Sequence, residues 1–135
     1  MKILFDLRDY PEHHLVQCAN KALLTSNSPY LHQYGAIASE QWWRLYEVGQ
    51  ICRSRLVGQI VHLGIIKDDF NELWDIVRIQ TDQGDIEYDR EDFWLDSCVT
   101  VNKWVYIEKV SLVVPTSSGP TTYQFDVQVG VQSND

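Results

Sequence analysis

The spacing of apolar residues changes once along this chain, from a helical stripe near its start to alternation through its second half. Leu15, Cys18, Ala19, Ala22 and Leu23 recur every three or four positions, the spacing that lines one face of a helix. The stripe predicts an amphipathic helix over residues 11–24. Asp9 precedes it as a capping side chain, and Pro11 falls in the first turn, where no amide bond is lost. Thr25, Ser26, Asn27, Ser28 and Pro29 end it, because their side chains compete for backbone bonds and proline biases its predecessor away from helix. Ahead of the stripe, residues 1–7 form a short apolar segment expected to pair as an edge strand. Residues 30–38 follow neither period, with Tyr30, Leu31 and Tyr34 expected to pack over the core edge. In residues 39–48, Trp42, Trp43, Leu45, Tyr46 and Val48 satisfy both periods. Their aromatic content predicts a strand from Trp43, after a helical turn at Ser39.

Beyond residue 48 the pattern becomes that of strands. Val48-Gly49-Gln50-Ile51-Cys52 leads into an apolar run over 56–64, and the polar residues Lys67, Asp68, Asp69 and Asn71 then predict a loop. Residues 73–81 suit a pleated, half-buried surface. Asp82-Gln83-Gly84 predicts a tight turn, glycine supplying a positive φ. In Asp85-Ile86-Glu87-Tyr88-Asp89 the alternation sends Ile86 and Tyr88 inward and three carboxylates to water. Phe93, Trp94 and Leu95 read as a plug over the end of a barrel or sheet. Two longer strands are expected over 104–114 and 121–131, separated by a loop at 115–120 whose Pro115, Gly119 and Pro120 exclude a regular element. In the last strand Tyr123, Phe125, Val127, Val129 and Val131 alternate with polar residues, so one face covers a core.

Residues 48–95 resemble a small SH3-like barrel. The likeness rests on Val48-Gly49-Gln50-Ile51, on Val57-Gly58-Gln59-Ile60-Val61, on Trp74-Asp75-Ile76-Val77-Arg78-Ile79, and on the Gly84 hairpin running into Phe93-Trp94-Leu95. The resemblance implies a binding module that recognises peptides, other subunits or nucleic acid. The chain is also similar in style to uncharacterised cyanobacterial proteins, a likeness that implies no function. The expected fold is mainly β (α+β): an antiparallel, SH3-like, partly open barrel or curled sheet with an N-terminal amphipathic helix. A single domain over residues 1–135 is expected, comprising a helical segment (1–38), a barrel-like β unit (39–98) and a C-terminal β-hairpin (99–132).

Composition narrows the partners. Nineteen Asp and Glu against eleven Lys and Arg give a formal charge of −8, so the averaged field repels phosphate backbones and anionic lipid heads. A protein partner or self-association through the long C-terminal strands is expected, with no membrane contact and nucleic acid disfavoured. No apolar run reaches the ~20 residues of a membrane span, and the opening run is too short for a signal peptide. Cys18, Cys52 and Cys98 lack the spacing of a disulfide framework or a zinc site, so reduced thiols in a cytoplasmic protein are expected.

Candidate chemistry is sparse. His14 and Cys18 share a helix face and supply two potential metal ligands, but a zinc site needs more, and neither metal nor cofactor is expected. Asp82, Asp85, Glu87, Asp89, Glu91, Asp92 and Asp96 lack the oxygen spacing of a calcium loop. The chain contains no nucleophile elbow, phosphate-cradling glycine loop or dinucleotide fingerprint, and no catalytic residue is assigned. Arg44, Arg53 and Arg55 would meet an anion only if the fold gathered them. Five tryptophans in 135 residues nominate Trp42, Trp43 and Trp94 as interface anchors, because indoles give large contact area for little entropy loss. The carboxylates of Asp85, Glu87 and Asp89 complete the candidate interface. The expected function is a non-enzymatic protein-interaction module. The alternatives are an acidic nucleic-acid-mimicking inhibitor of a DNA-binding protein and a small enzyme of unrecognised type.

Overall fold

A computed structural model describes residues 1–134. In chain order the elements are β1 (Lys2–Asp6), a 3-10 turn (Leu7–Asp9), α1 (His14–Thr25), α2 (Tyr30–Tyr34), α3 (Glu40–Glu47), β2 (Ser54–Lys67), β3 (Leu73–Thr81), β4 (Gly84–Asp89), a second 3-10 turn (Asp92–Leu95), β5 (Trp104–Thr116) and β6 (Gly119–Val131). The strands form one open six-stranded sheet in the order β1-β6-β5-β2-β3-β4, with β1 and β4 at its edges. The fold is therefore mainly β. The C-terminal strands, expected to offer a self-pairing edge, are interior instead: β6 is bonded to β1 and β5, and β5 to β6 and β2. The five-residue β1 borders only part of the thirteen-residue β6.

Contacts cluster into two compact units, one made of Met1–Phe5, Arg55–Ile107 and the stretch from Gln128 onward, the other of Asp6–Ser54 and Glu108–Val127. In the second unit, α1 buries Val16, Ala19 and Leu23, three positions of a continuous helical face. It starts later than expected. His13 is its cap and accepts from the Leu15 amide at 3.3 Å, while Asp9 belongs to the preceding 3-10 turn and Pro11 lies outside the helix.

The strand expected from Trp43 is the helix α3. Ser39 Oγ accepts from the Trp42 amide at 3.2 Å, capping a free N–H of the first turn. Trp42 and Tyr46, four residues apart, are buried together with ring centroids 5.2 Å apart, so the helical period places the aromatics inside. The next expected strand, at 48–52, is the termination of α3. The Gln50 amide reaches back to the Leu45 carbonyl at 2.9 Å and the Gly49 amide to Tyr46 at 3.1 Å. This is a Schellman closure with Gly49 at φ +83°, a conformation that favours glycine. The first of the four segments that carried the SH3-like resemblance is thus a helix cap.

The loop expected at 115–120 shrinks to Ser117 and Ser118, and both prolines lie within strands. A proline costs a strand one ladder donor, not its extended path. The turn is stabilised by Thr116 Oγ1, which donates to the Gly119 carbonyl at 2.8 Å and accepts from the Ser118 amide at 3.3 Å. The β3–β4 hairpin uses the same Thr-x-x-Gly arrangement: Thr81 Oγ1 donates to Gly84 at 2.7 Å and accepts from the Gln83 amide at 3.1 Å.

In the first unit, β2 and β3 pair antiparallel from Gly58 opposite Thr81 to Lys67 opposite Leu73, with a register shift between Ile60 and His62. β3 and β4 pair from Thr81 opposite Gly84 to Ile76 opposite Asp89. Ile60, Val77, Ile79 and Trp94 are buried. The expected alternation on β4 is present, with Asp85, Glu87 and Asp89 exposed and Ile86 and Tyr88 half-buried.

Candidate interaction face

Directly opposed residues of an antiparallel pair share a sheet face. Ile66 faces Trp74, Ile76 faces Asp89, and Arg78 faces Glu87, so one face of β2, β3 and β4 carries an indole, two isoleucines, an arginine and two carboxylates. Asp68, in the loop after β2, organises its end. Its Oδ1 accepts from the amides of Phe70 at 2.8 Å and Glu72 at 2.9 Å, and its Oδ2 accepts from Trp74 Nε1 at 2.8 Å. The indole hydrogen bond, with the Glu72 amide next, holds the Asp68 carboxyl below the usual carboxylate range. A cleft of about 370 Å³ results, lined by Ile66, Asp68, Trp74, Ile76, Glu87, Tyr88 and Asp89. In the same hairpin, Ile65, Phe70 and Leu73 are exposed, Phe70 at 86%. Arg78 Nε donates to Glu87 Oε2 at 2.7 Å, and Arg90 approaches Asp75 at 3.9 Å.

The nominated residues separate into two groups. Asp85, Glu87 and Asp89 stand together, exposed, on the edge strand β4. Trp42 and Trp94 are core residues, 0% and 3% exposed, and offer no free surface. Trp42 donates from Nε1 to the Tyr30 hydroxyl at 3.0 Å, and Trp94 packs on Tyr88 and Phe93 with centroids 5.0 and 5.1 Å apart. Trp43 is half-buried, beneath the Arg8 guanidinium at 4.2 Å. The exposed indoles are Trp74 and Trp104. Sequence reading missed Trp74 because it lies in the same apolar run as the buried Ile76 and Val77, and its Asp68 partner lies across the loop.

The arginines do not form an anion cradle. Arg44 and Arg55 are exposed, but Arg53 turns inward, bonding Glu108 Oε1 at 3.1 Å and lying over the Tyr46 ring at 4.2 Å. The Tyr46 hydroxyl also donates to Glu108 Oε1. Burial, reinforced by the Glu108 carboxylate and opposed by Arg53, pushes the Tyr46 phenol well above its ordinary value. Glu108, 7% exposed, carries no sequence signal, since a carboxylate inside a strand alternation reads as solvent-facing. His14 Nε2 lies 3.7 Å from Cys18 Sγ, yet among the described residues no group of three or more His, Cys, Asp or Glu is placed to hold a metal ion.

No family model matches the chain, and neither does any curated protein. Fold and site together define a class: an open, mainly β sheet with three short α-helices and a face on β2, β3 and β4 that carries an indole and carboxylates. Among the described residues, no helix is long and apolar enough to cross a membrane.

Proposed function

We propose that this chain is a non-enzymatic protein-interaction module whose β2–β3–β4 face binds a cationic, partly apolar segment of a protein partner. The observation that carries the reading is Trp74, held half-exposed by Asp68 in a cleft that also presents Glu87 and Asp89. An indole beside carboxylates attracts a Lys or Arg side chain through the ring face and the charge together. Ile66 on the same face, with the exposed Phe70 in the loop that follows it, supplies the apolar area that an isolated charge site lacks. β4 lies at the edge of the sheet, where an extended partner segment can add a strand.

The SH3-like reading is kept for β2, β3, β4 and the 3-10 turn. Their order of strand, polar loop, strand, tight hairpin, strand and helical turn is the order the resemblance asks for. Three free cysteines support a reducing, cytoplasmic setting. The nucleic-acid-mimic alternative is supported by the row Asp85, Glu87, Asp89 at two-residue steps, but it gives no role to the Trp74 cleft.

The test is calorimetric titration with a library of short peptides alternating Lys or Arg with Leu. Binding is expected for the wild-type chain, with a loss of about tenfold or more in Trp74→Ala, the size of a hot-spot truncation. Equal binding by wild type and Trp74→Ala, or none by the wild type, overturns the reading.

A further inference from the structure

We propose a second, chemically distinct site: Cys18 is a reactive thiol that accepts one half of an anionic, low-molecular-mass disulfide into the groove beside α1. Helical spacing places His14, Cys18, Lys21 and Thr25 along one side of α1. His14 Nε2 contacts Cys18 Sγ at 3.7 Å, so the imidazole is in place to take the thiol proton. Cys18 opens onto a groove of about 630 Å³ between α1 and the β5–β6 hairpin, within the size range of small-ligand sites, roughly 300–1,000 Å³.

The lining specifies the ligand. Lys21, Thr25 and Ser26 from the helix side meet Thr116 and Tyr123 from the hairpin, with Ala22 and Pro115 as apolar lining, and among the described residues no carboxylate lines the groove. In a chain of net charge −8, a concave, carboxylate-free surface with one ammonium and several hydroxyls suits a negatively charged guest. The other two thiols lack this setting, Cys98 being buried and Cys52 lying exposed outside this groove. Sequence spacing alone presented His14 and Cys18 as an incomplete metal pair. The groove gives the same pair a different chemistry.

The step is a thiol–disulfide exchange. The Cys18 proton passes to His14, and the thiolate attacks one sulfur of the incoming disulfide. A bond forms between Cys18 Sγ and that sulfur as the original S–S bond breaks. The second sulfur leaves as a thiolate and collects a proton. Cys18 and the bound half end as a mixed disulfide, and the departing half is the reduced product.

The experiment exposes the full chain to oxidised glutathione, an anionic probe, or to cystamine, a cationic one, and maps adducts by mass spectrometry over time. Expected with oxidised glutathione is a Cys18 adduct forming several-fold faster than the Cys52 adduct, since only Cys18 has a base in contact and a groove to hold the probe. His14→Gln should slow reaction at Cys18 and leave Cys52 unchanged. Lys21→Glu should reverse the preference between the two probes at Cys18. Both side chains are exposed, so neither substitution disturbs the core. Cys52 reacting first, a His14→Gln rate at Cys18 equal to wild type, or a wild-type preference for cystamine at Cys18 overturns the proposal.

Discussion

Glu108 sits in β5 with its side chain inside, and two donors meet one of its oxygens: the Tyr46 hydroxyl from α3 and the Arg53 guanidinium from the segment leading into β2. A buried carboxylate is tolerated only when its charge is met by such bonds. Tyr46→Phe removes one donor and keeps the ring that stacks on Trp42. The expected loss is about 1.5–3 kcal/mol, the worth of a hydrogen bond to a charged group, read from urea unfolding at neutral pH. The same phenol predicts an alkaline dependence. Its folded pKa is raised, so it contributes stability in full below the unfolded tyrosine value, about 10. That contribution is lost as pH rises through the folded value, because the unfolded chain releases the proton first. Wild-type stability should therefore fall above about pH 10 more steeply than that of Tyr46→Phe. Parallel alkaline curves for the two proteins would rule this account out.

Elements that depend on local chemistry were legible from sequence, and those that depend on a distant partner were not. The β4 alternation and the β6 core face appear where their periods place them, while the α1 stripe was right at Ala19 and Leu23 but took the exposed Leu15 for the buried Val16. The helix α3 was missed because Trp42, Trp43 and Tyr46 fit either period, although Ser39 as a cap and Gly49 as a terminator were both readable signals. Pro115 and Pro120 were overweighted against the flanking alternation. The candidate face was half legible: its β4 carboxylates follow from alternation, whereas Trp74 depends on a register across the 68–72 loop and on the Asp68 bond. Gly58 tests the close approach of β2 and β3 at the other end of their pairing, beyond the shift between Ile60 and His62. A Cβ there would lie 2.6 Å from the Gln80 carbonyl and 2.7 Å from Ile79 Cγ2, closer than backbone can yield without moving. Gly58→Ala should therefore destabilise the chain by about 1–3 kcal/mol, the usual cost of overpacking. It should also broaden amide signals across the β2–β3 pairing. A variant as stable as wild type would mean that the two strands do not approach so closely.

At the scale of the molecule, charge and apolar contact divide the binding event between its two rate constants. A chain of net charge −8 attracts a cationic partner before contact, an effect that acts on association and weakens as salt shortens the Debye length from about 10 Å at 0.1 M to about 3 Å at 1 M. Asp89 lies on β4 at the rim of the cleft, exposed and opposite Ile76. Asp89→Asn removes charge and keeps shape, so it should slow association with a cationic peptide a few-fold at low salt and leave dissociation nearly unchanged, as rim charges do. Trp74→Ala should do the reverse, speeding dissociation with little change in association, because a desolvated aromatic anchor acts after the encounter. Stopped-flow fluorescence at two ionic strengths separates the variants. If both act on the same rate constant, the carboxylates and the indole do not belong to one binding face. The row on β4 would then be a solvated edge that keeps the outer strand from pairing with other sheets.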